Sequence, residues 1–361
     1  MTDKKVILFM PSIEGGGVEK NFFVISNYLA KKKNNVLLVT AEKRFLNRLN
    51  NIKIINPQLN FWRNGTRLRK YMICLFLLIK TIIQNKNCCV FSFQANIYAI
   101  LVCNILNTKI VSRSNSAPSG WSNNFFKKLI YKIGFNLADK LIVNSKEFKK
   151  EMKKNFSVNS VVIYNPFNKN EIIKLSNKKV KKKFKNKFLR IITVGRLVDQ
   201  KNHYCLLQAL NHLKKILKFE LIIIGRGKNE EKIKEYLIKK NLNNYVKVFY
   251  TNNPFPFIKQ SDLFILSSNY EGLPNVLLEA IALKKSVISS NCPTGPKEIL
   301  DYGKGGYLFK SNNYRSLSFQ IVNFIKNNKI RKKKIAYSFR RLSRFDYKTN
   351  LKKYLNVVNS L

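Results

Sequence analysis

Short apolar runs alternate with amphipathic stretches along most of the chain. In the first half we interpret the amphipathic stretches near 18–32 and 96–106 as helices, and we predict strands at 5–11, 35–40, 52–55, 89–93, 109–112, 140–143 and 161–163. Such alternation is typical of a doubly wound parallel sheet. The second half restarts the pattern, with strands predicted at 189–194, 219–224, 246–249, 262–266 and 286–289. The sequence therefore predicts two Rossmann-like α/β domains.

A change in composition separates the two halves. Asn165-Pro166-Phe167 breaks the pattern, and 168–187 is rich in Lys and Asn with few apolar residues. We therefore predict an N-terminal domain over 1–167, a linker over 168–187 and a C-terminal domain over 188–336. The remaining segment, 337–361, is predicted to be helical.

The chain is strongly basic, with 68 Lys and Arg against 19 Asp and Glu and a net charge of +49. Such a field favours phosphate-rich partners and anionic membranes. Lys and Asn are abundant throughout, however, so part of the charge reflects codon bias spread over solvated faces. A nucleic-acid-binding protein is favoured only by the charge, because the sequence has no helix-turn-helix, zinc-finger or RNA-recognition signature. We predict no specific nucleic-acid partner.

The cysteines and the first residues indicate a cytoplasmic protein. The six cysteines have no metal-ligand spacing, and most occur in apolar runs where a reduced thiol acts as a small hydrophobe. The apolar run 6–10 is too short for a secretion signal and is interpreted as part of a first strand.

Two carboxylates lie eight positions apart around the predicted start of a helix. Glu271 precedes Pro274, which suits the first helical position, and Glu279 lies inside the helix. The amides of Asn275, Val276 and Leu277 are then expected to point out of the helix N-terminus, which attracts anions. This arrangement suits the two ends of an elongated, hydroxyl-rich phosphate ester such as a sugar nucleotide.

Glu271 and Glu279, with Gly272-Leu273-Pro274-Asn275 between them, resemble the donor-site signature of the retaining family 4 glycosyltransferases of GT-B fold. The stretches 286–300 and 303–309 resemble the family in the same order and spacing. The resemblance implies two Rossmann-like domains whose parallel sheets face each other across a cleft, with 337–361 crossing back to the first domain. It also implies that Glu279 holds the ribose, Glu271 holds the sugar, and the intervening residues contact the donor: Gly272, Leu273, Pro274, Asn275 and Val276.

A basic loop follows the first predicted strand of the second domain. Gly195, Arg196 and Lys201 resemble the family's glycine, arginine and downstream lysine that grip the nucleotide diphosphate. Cleavage of a nucleotide sugar leaves negative charge on the departing phosphate, and two fixed cations can neutralise it as it develops. The sequence contains no Asp-x-Asp pair to supply the hard oxygen ligands that a divalent ion needs, so we predict neither a metal nor another cofactor.

Two glycine-rich turns complete the predicted donor site. Arg226, between Gly225 and Gly227, is expected by resemblance to lie near the nucleobase. Gly16 and Gly17, after the first strand, are expected to allow close passage beside a phosphate and the donor sugar. A flexible turn is the alternative for this second loop.

The sequence predicts no histidine base. Many relatives carry a histidine on the first domain, whereas His203 and His212 both lie in the second. Arg113 and Asn115 occupy the corresponding strand end, where they are expected to orient acceptor or donor oxygens; an ordinary polar loop is the alternative. Retention is implied by the family resemblance alone, by front-face attack in which the leaving phosphate accepts the acceptor proton.

The acceptor is suggested by a basic, aromatic segment ahead of an apolar helix. Trp62, Arg63, Arg67, Arg69 and Lys70 precede the run 71–79, which is shorter than the roughly 20 residues that span a bilayer. It suits either a core helix with a basic edge or a helix docked on an anionic membrane surface. Family members of this type build bacterial surface polysaccharides or lipid-linked oligosaccharides. We therefore expect a peripheral enzyme at the inner face of the cytoplasmic membrane, using a UDP-hexose or UDP-N-acetylhexosamine and a glycan or polyprenyl-diphosphate-linked acceptor. A catalytically silent GT-B membrane scaffold is the alternative.

Overall fold

The protein folds into two α/β units. Unit 1 contains Met1–Pro166 together with Tyr347–Leu361, and unit 2 contains Phe167–Asp346. The computed structural model describes the following residues: 4–13, 17–43, 45–115, 125–180, 184 and 188–361.

The described strands of unit 1 form a parallel sheet in the order β3-β2-β1-β4-β5-β6-β7. They are β1 (Lys5–Phe9), β2 (Val36–Val39), β3 (Lys53–Ile55), β4 (Cys88–Ser92), β5 (Lys109–Arg113), β6 (Lys140–Val143) and β7 (Val161–Val162). Because successive side chains of a strand point to opposite faces, Val6 and Leu8 enter one core while Ile7 and Phe9 enter the other. Burial on both faces explains why β1 is apolar from Val6 to Phe9.

Helices cover both faces of this sheet. They are α1 (Gly17–Lys32), α2 (Asn60–Arg63), α3 (Arg67–Ile83), α4 (Asn96–Ile105), α5 (Phe125–Asn136) and α6 (Lys146–Phe156). Helix α1 packs Phe22 and Leu29 into the core that contains Val6. Helices α3, α4 and α5 pack Cys74, Ile100 and Phe135 into the opposite core.

Unit 2 repeats the architecture, and its described strands lie in the order β10-β9-β8-β11-β12-β13, which is the Rossmann order. The strands are β8 (Leu189–Val194), β9 (Phe219–Ile224), β10 (Val246–Phe249), β11 (Leu263–Leu266), β12 (Ser286–Ser290) and β13 (Tyr307–Phe309). The helices are α7 (Lys169–Ser176), α8 (His203–Leu213), α9 (Glu230–Lys239), α10 (Phe255–Gln260), α11 (Asn275–Ala282), α12 (Pro296–Ile299), α13 (Tyr314–Lys326) and α14 (Asn328–Arg341). Short 3₁₀ turns occur at Leu46–Arg48, Asp199–Lys201 and Leu342–Phe345.

The last helix, α15 (Tyr347–Asn359), belongs to unit 1. Its residues Leu351, Tyr354 and Val358 are buried in the same core as Phe91. The hydroxyl group of Tyr354 accepts a hydrogen bond of 2.9 Å from Nε of Arg113, at the end of β5. The helix is therefore an integral part of the N-terminal unit.

The structure corrects several predicted boundaries. The predicted linker 168–187 contains α7, whose first turn is capped by the side chain of Asn168 and which packs on α10 and α11 of unit 2. Residues 181–183 and 185–187 of that segment lie outside the described residues. The C-terminal segment that belongs to unit 1 begins at Tyr347 rather than at 337, because residues 337–341 are the end of α14. The first strand ends at Phe9 rather than at position 11, and the short strand β13 was not predicted.

Candidate functional site

The loops that follow β8 and β11 leave the unit 2 sheet side by side. These strands are neighbours, with Ile191 opposite Leu263, and the strand order reverses between them. In open parallel sheets such a reversal opens a crevice at the carboxyl ends of the strands, where ligands bind. The residues that follow Val194 and Leu266 therefore form the candidate site.

Lys201 and Glu271 form a mostly buried ion pair between these two loops. Nζ of Lys201 lies 2.5 Å from Oε1 of Glu271, and the side chains are only 15% and 8% exposed. The hydroxyl group of Ser268 donates to the same carboxylate oxygen over 2.7 Å. The structure thus brings together two of the predicted site residues, each held by the other.

Further hydrogen bonds fix the two loops to each other. Asn202 has a left-handed backbone with φ of 45°, and its side chain donates to Oδ1 of Asn269 over 2.8 Å. The hydroxyl group of Ser267 donates to the carbonyl oxygen of Lys201, and the amide of Asn269 donates to the carbonyl oxygen of Gln200. The backbone around Lys201 is therefore set by the loop that carries Glu271.

The loop after β8 also presents charge to solvent. Arg196 is exposed, and its guanidinium group lies 3.5 Å from the side-chain oxygen of Gln200. Asp199 forms an exposed ion pair with Lys228, and the hydrogen bond from Lys228 lowers the pKa of the Asp199 carboxyl group. Arg196 is thus available to an anion in the crevice.

The predicted turn at 225–227 passes directly against the Gly195 loop. A Cβ atom on Gly225 would lie 1.9 Å from the carbonyl oxygen of Gly195, and one on Gly227 would lie 2.5 Å from that of Leu197. Both distances are shorter than real Cβ contacts, so these positions require glycine. Between them, the guanidinium carbon of Arg226 lies 4.3 Å from the centre of the Tyr250 ring, which is a cation–π geometry.

Helix α11 begins one residue later than predicted. Pro274 is its N-cap, with an extended backbone, and Asn275 is its first residue. The amide of Leu277 donates to the carbonyl oxygen of Pro274 over 3.1 Å, so it is not one of the free amides that the sequence suggested. Val276 stays half-buried at the start of the helix.

Close packing shapes the chain between Glu271 and the helix. Gly295 has a left-handed backbone with φ of 48°, and a Cβ atom there would lie 1.9 Å from the carbonyl oxygen of Gly272. The hydroxyl group of Thr294 donates to the carbonyl oxygen of Glu271. Leu273 is buried, as is Glu279 inside α11. The two glutamates are therefore held in different elements, one in the loop and one in the helix.

Two buried titratable groups border the ion pair. Burial and, to a smaller extent, the nearby charge of Lys201 lower the pKa of His203, the first residue of α8, to about 4. Burial, together with the charge of Glu271, raises the pKa of the Cys292 thiol to about 12. At neutral pH both side chains are therefore uncharged.

Four of the predicted site residues belong to unit 1. Gly16 lies outside the described residues, and Gly17 is the first residue of α1. Arg113 is fully buried and donates to Tyr354 and, over 2.7 Å, to Oδ1 of Asn165. Its expected contact with substrate oxygens is therefore replaced by a structural role. The side chain of Asn115 donates to the carbonyl oxygen of Phe93 over 3.1 Å.

No role was predicted for the residues that hold Lys201 and Glu271 in place. Ser268 and Asn269 lie just before Glu271, Thr294 lies in the stretch 286–300, and Gln200 lies in the predicted basic loop. Their short polar side chains beside Lys201 and Glu271 were the available signal, but their partners become visible only in the folded chain.

In the described residues, no group of three or more His, Cys, Asp or Glu side chains is placed to hold a metal ion. None of the described helices is long and apolar enough to cross a membrane.

Two Rossmann-like units with this strand order and a C-terminal helix returned to the first unit define the GT-B fold. The structure of Anabaena HepE in complex with UDP has this fold, and it matches with a TM-score of 0.78 and 17% identity over 99% of this chain and 100% of that one. The predicted GT-B fold is confirmed.

Two family models cover most of the sequence. The model described as Glycosyltransferase Family 4 matches residues 15–171, and that of Glycosyl transferases group 1 matches residues 175–341. The chain belongs to the family 4 glycosyltransferases, as its motifs predicted.

Curated relatives match over part of their length. An uncharacterized glycosyltransferase of Methanocaldococcus jannaschii is 34% identical over 54% of this chain and 51% of its own length. The N-acetylgalactosamine-N,N'-diacetylbacillosaminyl-diphospho-undecaprenol 4-alpha-N-acetylgalactosaminyltransferase of Campylobacter jejuni is 28% identical over 62% of each chain. The chain thus spans between about half and three fifths of the length of these two relatives.

Proposed function

We propose that this protein transfers a hexose or N-acetylhexosamine from a UDP-sugar to a glycan or polyprenyl-diphosphate-linked acceptor, with retention of configuration. The reaction needs no metal ion, and it takes place at the inner face of the cytoplasmic membrane. Arg196, Lys201 and Glu271 act on the reacting donor, and the glycine turns and α11 bind its nucleotide.

The ion pair between Lys201 and Glu271 is the observation that carries this proposal. It places the mostly buried ammonium group of Lys201 at the carboxyl ends of the strands. The exposed guanidinium group of Arg196 belongs to the same loop. Charge that develops on a leaving diphosphate is stabilised most strongly by fixed cations in a site with little water. Lys201 is fixed because Glu271 and the surrounding backbone hold it before the donor arrives.

The choice of donor and acceptor is supported by the relatives. HepE binds UDP in its structure, and the Campylobacter jejuni relative acts on an undecaprenol diphosphate-linked sugar, according to its name. The basic, aromatic segment from Trp62 to Arg69 fits an enzyme that meets its acceptor at an anionic membrane.

A donor panel tests the proposal. The purified protein is incubated with UDP-glucose, UDP-galactose, UDP-N-acetylglucosamine, UDP-N-acetylgalactosamine and GDP-mannose, with and without EDTA and with a polyprenyl-diphosphate-linked sugar as acceptor. We expect turnover of a UDP-sugar that persists in EDTA, and proton NMR of the product should show the donor's anomeric configuration. Failure to transfer or hydrolyse any UDP-sugar would contradict the proposal. A product with inverted anomeric configuration would contradict the proposed retention.

A matched pair of variants ties the activity to the site. Lys201→Ala should abolish most turnover, whereas Lys228→Ala, which removes a lysine from the exposed pair with Asp199, should leave turnover close to wild type. Equal activity of the two variants would mean that the activity does not depend on the buried pair.

A further inference from the structure

The outer surface of α3 is apolar where a solvated helix is normally polar. Leu68, Met72, Phe76 and Ile83 have exposed side chains, and their spacing of four, four and seven residues places them on one side of the helix. The opposite side of α3 packs Cys74 into the core. A helix that is apolar on both sides is normally covered on both sides.

The apolar surface continues over the two neighbouring helices. Helix α4 contacts both α3 and α5. Ile105 of α4 and Ile130 and Ile133 of α5 are exposed, while Ile100 and Phe135 of the same helices are buried in the core. We call the exposed side of these three helices the α3–α5 face. An exposed apolar surface that extends over several helices marks an interaction site.

The charge around the α3–α5 face indicates what covers it. The sequence contains no Asp or Glu between Glu42 and Asp139, a stretch that includes all three helices. Exposed cations accompany the apolar residues, including Arg67 and Arg69 on α3 and Lys132 on α5. A second copy of the chain would bring the same positive charges together, whereas an anionic surface would neutralise them.

We propose that the α3–α5 face is the surface by which unit 1 rests on an anionic lipid bilayer. Its apolar side chains enter the boundary between headgroups and acyl chains, and its cations meet the lipid phosphates. The inference deepens the proposed function and rests on it in one respect, since a lipid-linked acceptor gives the enzyme a reason to lie on the membrane. It differs from attraction by the basic segment alone, because binding depends on apolar insertion by three helices.

Vesicle flotation with the full-length protein tests the inference, without donor or acceptor, so that its result is independent of transfer activity. The vesicles contain phosphatidylcholine alone or mixed with phosphatidylglycerol. The test variant replaces Phe76, Ile105 and Ile133, which are 62%, 81% and 55% exposed, with Gln. The control variant replaces one Phe and two Ile of unit 2 with Gln: Phe319, Ile216 and Ile238, which are 62%, 78% and 66% exposed.

We expect wild type and the control variant to bind the anionic vesicles equally. The test variant should bind about tenfold more weakly or worse, because binding strength follows the apolar area inserted. Wild-type protein that does not float with anionic vesicles, or a test variant that binds as wild type does, would overturn the inference. So would light scattering that shows a wild-type dimer, a monomeric test variant and no vesicle binding, since the face would then join two copies. Calorimetry with UDP on all three proteins checks that unit 2 is intact.

A conservative variant gives a second measurement that does not depend on a loss of vesicle binding. Phe76→Trp should be quenched by vesicles with brominated acyl chains, and Phe319→Trp should not, with Trp62 and Trp121 as a shared background. Equal quenching of the two proteins would overturn the inference even if both bind vesicles.

Discussion

Nζ of Lys201 lies 2.5 Å from Oε1 of Glu271, although 70 positions separate the two residues. The pair joins the loop after β8 to the loop after β11 at the point where the strand order reverses. Because both side chains are mostly buried, removal of one partner leaves the other charge poorly compensated. The same contact thus affects the stability of unit 2 and the position of the cation that the proposed reaction uses.

A double-mutant cycle measures this coupling. Lys201→Met and Glu271→Gln should each lower the free energy of unfolding by about 3 kcal/mol, because each leaves a partner unpaired. The double variant should lose less than the sum, since neither charge then remains. Urea unfolding followed by circular dichroism gives the values, with Lys228→Met as the exposed control. Additive losses would show that the two side chains do not stabilise each other.

Arg196 separates catalysis from stability. Its side chain is exposed, so Arg196→Ala should leave the thermal midpoint unchanged while it lowers turnover of the donor by about 10²–10³-fold, a typical cost for one charge-stabilising group. Initial rates and thermal unfolding on the same preparation test this. Arg340→Ala removes an exposed arginine of α14 and should alter neither quantity. Wild-type turnover in Arg196→Ala would contradict the predicted role.

The two glutamates should affect UDP binding differently. Glu279→Gln should weaken UDP by about ten- to a hundredfold, as expected for loss of hydrogen bonds from ribose hydroxyl groups to a charged acceptor. Glu271→Gln should leave UDP affinity nearly unchanged and impair transfer, because Glu271 is predicted to face the sugar. Calorimetry with UDP measures both, and Glu231→Gln, an exposed change in α9, serves as the control. Equal weakening in both variants would show that the predicted division is wrong.

His203 should make stability depend on pH. Its pKa is lowered from 6.5 to about 4 in the folded protein, chiefly by burial. Between these values the unfolded chain binds a proton that the folded chain does not, so stability falls as pH decreases through this window, by at most about 1.4 kcal/mol per unit. Subtracting the urea-unfolding profile of His203→Gln from that of wild type isolates the effect. His212→Gln, at an exposed position, should keep the wild-type slope, and a His203→Gln profile parallel to wild type would refute the prediction.

The contact between Arg113 and Tyr354 should stabilise unit 1 without affecting donor binding. Tyr354→Phe removes the acceptor of a buried guanidinium N–H and should cost about 1–3 kcal/mol. UDP affinity should not change, because Tyr354 is buried in the core of unit 1 and the predicted donor residues other than Gly16 and Gly17 lie in unit 2. Tyr98→Phe, on the exposed side of α4, is the matched control for stability. A Tyr354→Phe variant as stable as wild type would show that the hydrogen bond contributes little.

The fold was largely predictable because both sheets are parallel and buried on both faces. Strands such as β11 (Leu263–Leu266) are therefore unbroken apolar runs, separated by helices with a clear periodicity. Helix α7 was missed because it is only eight residues long and Ile172 is its one buried apolar side chain. Strand β13 has three residues, too few to show any period.

Individual residues of the candidate site could be named from local motifs, but the contacts between them could not be predicted. Lys201 and Glu271 were both identified from local motifs, yet their direct ion pair depends on the pairing of β8 with β11. Arg113 was predicted to face a ligand because it occupies the strand end that corresponds to the histidine of many relatives. Its burial depends on Asn165 and Tyr354, which are 52 and 241 positions away and give no local signal.

The return of α15 to unit 1 reverses the order in which the two units are completed during synthesis on the ribosome. Domains usually fold as they emerge, the N-terminal one first. Here the core around Phe91 lacks Leu351 and Tyr354 until those residues have been synthesised, and Arg113 has no Tyr354 hydroxyl to bind before then. Unit 2 is complete by Asp346. The domain whose synthesis begins first is therefore the one that is finished last.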